Sequence, residues 1–127
     1  MSKKWKVAVT LAITSLLVAC GGGSSPTPRG AIAINQSSGY GVITTFHTSQ
    51  PKANSAAIND CGSSACVVVL EFSGDGQCGS IAWGRNAIWG VGTSGSKEQA
   101  DKRAIEQCAE RGGSTCVIPS WVNGQCN

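Results

Sequence analysis

The sequence holds one histidine, one tyrosine, one methionine and two phenylalanines in 127 residues. With His47 the sole imidazole, any Ser-His-Asp or Cys-His arrangement must use that position. Its neighbours Thr45, Thr48 and Ser49 are turn and capping residues, so it reads as a loop histidine rather than a base. The carboxylates show no spacing that singles out a general acid and base. Cysteines are present, but none form C-x-x-C, and zinc-type spacing is absent. Charge is sparse too: charged residues are 13% of the chain and the net charge is +3. Lys3, Lys4 and Lys6 account for that excess, and beyond them seven basic residues face seven acidic ones. A near-neutral domain has no basic field to draw nucleic acid. These shortages lead to the expectation of a protein without metal, cofactor, nucleic-acid partner or enzymatic activity.

What is present begins with the leader. The three lysines precede "VAVTLAITSLLVA", Val7 to Ala19. Such a run is too short to span a bilayer, which takes about 20 residues. A charged start followed by a short apolar run reads as a secretory signal. The run closes on "LVAC", Leu17 to Cys20, which resembles the bacterial lipobox. That resemblance implies cleavage before Cys20 and acylation of its sulfur and amine, palmitate included. Several chains on one cysteine exceed the two signals that stable anchoring needs. "GGGSSPTPR", Gly21 to Arg29, is a flexible tether. Gly21 in place of an aspartate resembles default sorting to the outer membrane. The expected organisation is a signal peptide at 1–19, a lipidated cysteine and tether at 20–29, and one domain at 30–127. Its expected location is the bacterial cell envelope, on the periplasmic or surface face.

The domain reads as two copies of one unit, 30–78 and 79–127. "GAIAINQSSGYGV" from Gly30 matches "GSIAWGRNAIWGV" from Gly79, which aligns Gly41 with Gly90 and Tyr40 with Trp89. "SQPKANSAAINDC" from Ser49 matches "SKEQADKRAIEQC" from Ser96, and each copy closes on G-Q-C. Each copy predicts a short strand (Ala31–Ile34, Ser80–Trp83), a turn, a second strand (Tyr40–Phe46, Ala87–Val91), a helix and a final strand. Ser96 with Gln99 forms a capping box. Ala100, Ala104, Ile105 and Cys108 share one helical face, as do Ala53, Ala57, Ile58 and Cys61. Gly62 and Gly112 end the helices. The final strands are "CVVVLEF" and "CVIPSW", the latter bent or at an edge because of Pro119. The expected fold class is α+β: a duplicated β-β-α-β unit, a mostly antiparallel sheet of about six strands, and two helices on one face.

Beyond Cys20 six cysteines remain, an even set that reads as three disulfides in an exported domain. Cys61 closes a helix and Cys66 opens the next strand, a short return within bonding range. Cys108 and Cys116 hold the equivalent places. Cys78 and Cys126 are left to tie one copy to the other.

"WGVGTSGSK", Trp89 to Lys97, contains G-x-G-x-x-G before a helix, the setting of a pyrophosphate loop. Its partner in copy one, "YGVITTFHTS", keeps only the first glycine. A duplicated turn explains the position better than a nucleotide does, and no nucleotide is expected. The aromatics offer more. Trp83 and Trp89 straddle "GRNAI", and tryptophan and arginine concentrate binding energy at interfaces. Trp83, Arg85 and Asn86, with His47 as a pseudo-symmetric neighbour, are the expected partner contacts.

Taken in order, G-[AS]-I-A, then Y-G or W-G, A-x-x-x-A-I-x-x-C, C-V-V and C-G-S-I-A resemble domain-of-unknown-function family 4189. The resemblance spans nearly all of Gly30 to Asn127 and implies a small exported bacterial domain, often on a lipoprotein, with no established catalytic residue. The expected function is an exported, lipid-anchored binding protein with a protein partner in the envelope, an inhibitor or immunity protein against an envelope-attacking enzyme. The alternatives are a structural accessory lipoprotein without catalytic activity and, last, a hydrolase using His47.

Overall fold

The structure, a computed structural model, describes residues 26–122 and 125–127. The expected signal peptide, Cys20 and the tether as far as Ser25 lie outside the described residues. The elements are β1 (Arg29–Asn35), β2 (Gly41–His47), α1 (Gln50–Cys61), β3 (Cys66–Ser73), β4 (Cys78–Trp83), β5 (Trp89–Ser94), α2 (Lys97–Glu110) and β6 (Gln125–Cys126). Arg29, read as the end of the tether, is the first residue of β1. The strands form two antiparallel sheets, ordered β2-β1-β3 and β5-β4-β6.

Both helices start where the caps predict. Ser49 and Ser96 are extended, and each side chain accepts from the backbone N–H three residues on. Pro51 sits in the first turn of α1, where its missing N–H costs nothing. Gly62 ends α1 in the left-handed region at φ 73°. The buried stripes are narrower than the sequence suggests. Ala53, Ala57 and Cys61 are buried in α1, and Ala100, Ala104 and Cys108 in α2, while Ile58 is half-buried and Ile105 is exposed.

The core explains the layering. Along β1, Ile32 and Ile34 point into a central cluster with Ile43, Phe72, Ile81, Val91 and Val122. Ala31 and Ala33 point the other way, against Ala53, Ala57 and Cys61 of α1. In β4, Ile81 faces the central cluster and Ala82 meets Ala104 and Cys108 of α2. The layers are therefore helix, sheet, sheet, helix. The expected single sheet with both helices on one face divides into two sheets, each with one helix on its outer side. The cause is the Ala-Ile alternation. Each inner strand is apolar on both faces, small where a helix backbone comes close and large where sheets pack about 10 Å apart.

One strand differs. "CVIPSW" does not form a ladder: Val117 exchanges two backbone bonds with Trp83, of 2.9 and 2.8 Å, and pairing stops there. Pro119 has no N–H to continue it, and a turn follows in which the Val122 N–H donates to the Pro119 carbonyl. β6 supplies the third strand instead.

The three disulfides join Cys61 to Cys66, Cys108 to Cys116 and Cys78 to Cys126. The first two fasten each helix end to the chain that follows it. The third lies across the β4–β6 pair and closes the second half on itself, because Cys126 belongs to the second sheet together with Cys78.

Candidate functional site

The domain has two poles. At one, the chain enters: Arg29 pairs with His47 and Ser73, and the Pro28 carbonyl accepts from the Gly74 N–H and from Asn127 Nδ2. At the other, about 20 Å away along β1, lie the two hairpin turns that precede β2 and β5. These turns touch. Gly39, at φ 77°, lies so close to Ala87 and Trp83 that an added Cβ would sit 3.4 Å from the indole nitrogen of Trp83. The Trp83 indole N–H donates to the Gly39 carbonyl. The first turn is organised by Asn35, whose side-chain oxygen accepts from the N–H groups of Ser37 and Ser38. In the second, Asn86 and Ala87 have φ values of 62° and 57°. Two consecutive positive φ values are the mark of a type I′ turn, which matches the twist of the strands it joins.

Three aromatic rings collect at this pole. Tyr40 and Trp121 stack at 5.4 Å with an interplanar angle of 19°. Trp83 leans on Trp121 at 5.0 Å and 40°. Trp83 is half-buried, but Tyr40 is 46% and Trp121 54% exposed. Val117, bridged to Trp83, is exposed beside them. A groove of about 390 Å³ opens on one side of the stack, along β2 and Asp60, and another of about 360 Å³ on the other side, against Trp83 and Pro119. Arg85 and Asn86 project from the turn into solvent.

The sequence-predicted residues are thus partly brought together. Trp83, Arg85 and Asn86 share this pole. His47 does not: it ends β2 at the opposite pole, half-buried opposite Arg29. The counterpart of the Trp83–Asn86 turn is the Asn35–Gly39 turn, not the segment that holds His47. The stretch from Gly41 to Ser49 is two residues longer than its match from Gly90 to Ser96, and one of the two extra residues belongs to the first hairpin turn. The other is a β-bulge, where Phe46 takes φ 61° and its N–H donates to the Asn127 side chain. Trp89 packs on the central core, with the Arg111 guanidinium 4.1 Å from its ring centre. Tyr40 and Trp121, the two most exposed rings of the cluster, are not among the contacts expected from the sequence. Trp121 joins the pole only because the segment after Pro119 folds back, which no local pattern announces.

The glycine loop has a packing role. An added Cβ at Gly90 would stand 2.2 Å from the Cys108 nitrogen and 2.3 Å from the Ala104 carbonyl oxygen. At Gly92 it would stand 2.5 Å from the Ala100 carbonyl oxygen. The backbone of α2 lies directly on β5 at these two positions. Gly95 meets nothing nearer than 3.6 Å. The apparent match of Gly41 with Gly90 is a slip of one residue. Gly41 lies opposite Ile34, whereas Gly90 lies opposite Ala82, the counterpart of Ala33. In a strand that slip turns the residue to the other face. Val42 is therefore the true counterpart of Gly90, and Thr44 of Gly92.

Together these features define an internally duplicated, disulfide-stapled α+β domain whose most prominent exposed chemistry is a set of aromatic faces beside an arginine and amides. The chain belongs to the family described as Domain of unknown function (DUF4189), whose model matches residues 30–123. No curated protein and no solved structure matches it.

Proposed function

We propose that the protein is an exported, lipid-anchored binding protein whose turn pole engages a protein in the envelope, acting as an inhibitor or immunity protein against an envelope-attacking enzyme. The observation that carries this reading is the exposed Tyr40–Trp83–Trp121 cluster beside Arg85, at the pole away from where the chain enters. Tryptophan, tyrosine and arginine are the residues in which interface energy concentrates, and two of these rings are about half exposed. A lipid on Cys20 would hold the Arg29 pole toward the membrane. The tether from Gly21 to Pro28 would then reach about 28 Å at full extension, leaving the aromatic pole free to face a partner. The role assigned is occlusion, with no catalytic step.

The test is capture by the full chain, prepared with its disulfides formed and immobilised, from exported and envelope proteins of the producing strain and its competitors. One enzyme retained in stoichiometric amount is expected. Trp121→Ala should weaken it about 30-fold, the effect of losing a hot spot of about 2 kcal/mol, and Arg85→Glu should weaken it as well, the latter with unchanged unfolding. Unchanged affinity in both variants would remove this pole from the interface. Retention of no protein would favour an accessory envelope lipoprotein over an inhibitor.

A further inference from the structure

The two halves finish their outer sheet edges differently. β5 is an edge strand. The Gly84 N–H donates to the Ile88 carbonyl at 2.8 Å, so the backbone groups of Gly90 and Gly92 point to β4 and those of Val91 and Thr93 point outward. Both outward residues are capped from α2. The Val91 N–H donates to Gln107 Oε1 at 2.8 Å, and the Thr93 carbonyl accepts from Arg103 Nη1 at 2.9 Å. Free edges invite another strand, and side chains laid over them prevent it.

β2 is the equivalent edge of the first sheet. The Asn35 N–H donates to the Tyr40 carbonyl at 2.7 Å, which turns the backbone groups of Gly41 and Ile43 outward. By register Ile43 stands where Val91 does, and by helix alignment Ala56 stands for Arg103 and Asp60 for Gln107. Ala56 has nothing to donate. The Asp60 side chain carries no N–H to donate, and among the described residues it makes no bond to Ile43. The helix is also set differently. α2 lies chiefly on β5, seated by Gly90 and Gly92, whereas α1 spreads almost evenly over β1 and β2, with Val42 and Thr44 under it. The 390 Å³ groove lies along this edge, walled by Tyr40, Trp121 and Gln125, with Asp60 the one charged residue lining it among the described residues.

We propose that the β2 edge takes an extended peptide segment of the protein partner as a fourth strand of the first sheet. The reading rests on a protein partner and adds the manner of its capture. The peptide pairs with the outward groups of Gly41 and Ile43, lays one apolar side chain against the Tyr40–Trp121 stack, and sets a lysine or arginine against Asp60. Main-chain pairing supplies affinity, and the two side-chain positions supply selectivity. The groove runs into the aromatic pole because Tyr40 and Trp121 line both of its hollows, so strand addition and the pole form one continuous surface.

The probe is a random linear heptapeptide library displayed on phage and panned against the immobilised, oxidised full chain. Enrichment of extended peptides bearing a lysine or arginine is expected, with synthetic copies losing at least tenfold in affinity when alternate backbone amides are N-methylated. The double variant Ala56→Arg, Asp60→Gln builds the β5 cap onto β2 and should lower affinity at least tenfold. Asp60→Lys, at an exposed position on α1, should do the same for the basic peptides, with urea unfolding as the check that the fold is kept. Absence of enrichment, or peptides indifferent to N-methylation and to both variants, would overturn the proposal. So would self-association of the chain that the cap abolishes, since the occupant would then be a second copy. A captured protein partner lost on Arg85→Glu but bound in full by the capped variant leaves the binding reading standing and removes the edge.

Discussion

Replacing Gly90 by alanine is the sharpest test of the glycine seat. The new methyl would stand 2.2 and 2.3 Å from backbone atoms of Cys108 and Ala104, where ordinary contact begins at 3.4 Å. Backbone cannot rotate away as a side chain can, so α2 must retreat by about 1 Å, a distance cores resist. The helix is held by the Cys108–Cys116 disulfide and by the hydrogen bond from the Ser80 hydroxyl to Asp101. Retreat opens the Ala82–Ala104–Cys108 contact and strains the Gln107 and Arg103 caps on β5. Overpacking costs about 1–3 kcal/mol and each weakened hydrogen bond about 1 kcal/mol. A loss of about 3–4 kcal/mol lowers the melting temperature by roughly 15–25 °C in a domain of this size. Gly41→Ala, by contrast, meets the mobile ends of Ile34 and Ile81 and should cost about 1–2 kcal/mol. Gly95→Ala has 3.6 Å of clearance and should stay within about 0.5 kcal/mol of the parent. Thermal unfolding followed by circular dichroism on the oxidised chain orders the three. A Gly90→Ala protein as stable as the parent, or a Gly95→Ala protein as weak as Gly90→Ala, would refute the reasoning, the latter because a nucleotide loop needs its third glycine and a helix seat does not.

Two further outcomes follow from the same geometry. Ala87 holds φ 57° in the hairpin turn, a region costing about 1–2 kcal/mol for a residue with a Cβ, of which glycine's extra unfolded freedom returns about half. Ala87→Gly should therefore raise stability by about 0.5–1 kcal/mol, seen as a higher urea midpoint at unchanged slope, and a lower midpoint would show that the turn is not strained there. Replacing Cys78 and Cys126 together by serine opens a loop of 48 residues, and replacing Cys61 and Cys66 opens one of 5. Chain entropy assigns these about 4 and 2 kcal/mol, so the first pair should destabilise about 2 kcal/mol more, and equal losses in urea unfolding would reject that account.

What could be read from the sequence was whatever is local or repeated. Ser49 and Ser96 announce their helices because a cap acts within three residues, and Gly62 ends α1 by a conformation only glycine takes easily. The duplication ordered the six cysteines into pairs, since equivalent places must bond in equivalent ways. The layering was harder. Ala31, Ile32, Ala33 and Ile34 are all apolar, so no polar face told which side meets a helix and which a second sheet; residue size decides it, and size is visible only once both partners are known. The slip of Gly41 against Gly90 was hidden for a related reason. Identical letters aligned, whereas the register of the hairpin, one residue longer before β2 than before β5, puts them on opposite faces. The aromatic pole depends on Trp121 returning from a segment whose strand pattern Pro119 interrupts, a tertiary event without a short-range signal.

Duplication followed by unequal change is the simplest physical account of the asymmetry between the halves. Both copies keep the parts that make the core: the small helical stripe, the helix-end disulfide and the large residues facing the other sheet. They differ where the helix meets its outer strand. Two glycines let α2 settle on β5 and bring Gln107 and Arg103 over the edge, and that half is closed at its outer strand. Val42 and Thr44 support α1 from beneath, Thr44 by a hydroxyl bond to the Ala53 carbonyl at 3.1 Å. With Ala56 and Asp60 above it, the β2 edge lacks the helix-borne cap that Arg103 and Gln107 give β5, and the groove lies there. A change that would only weaken a single sheet is tolerable here because the central core between the sheets does not depend on it. The half free to lose its cap is the half whose turn already leans on Trp83 and carries Tyr40 against Trp121, so under the strand-addition proposal the open edge and the aromatic grip arise from one departure from symmetry.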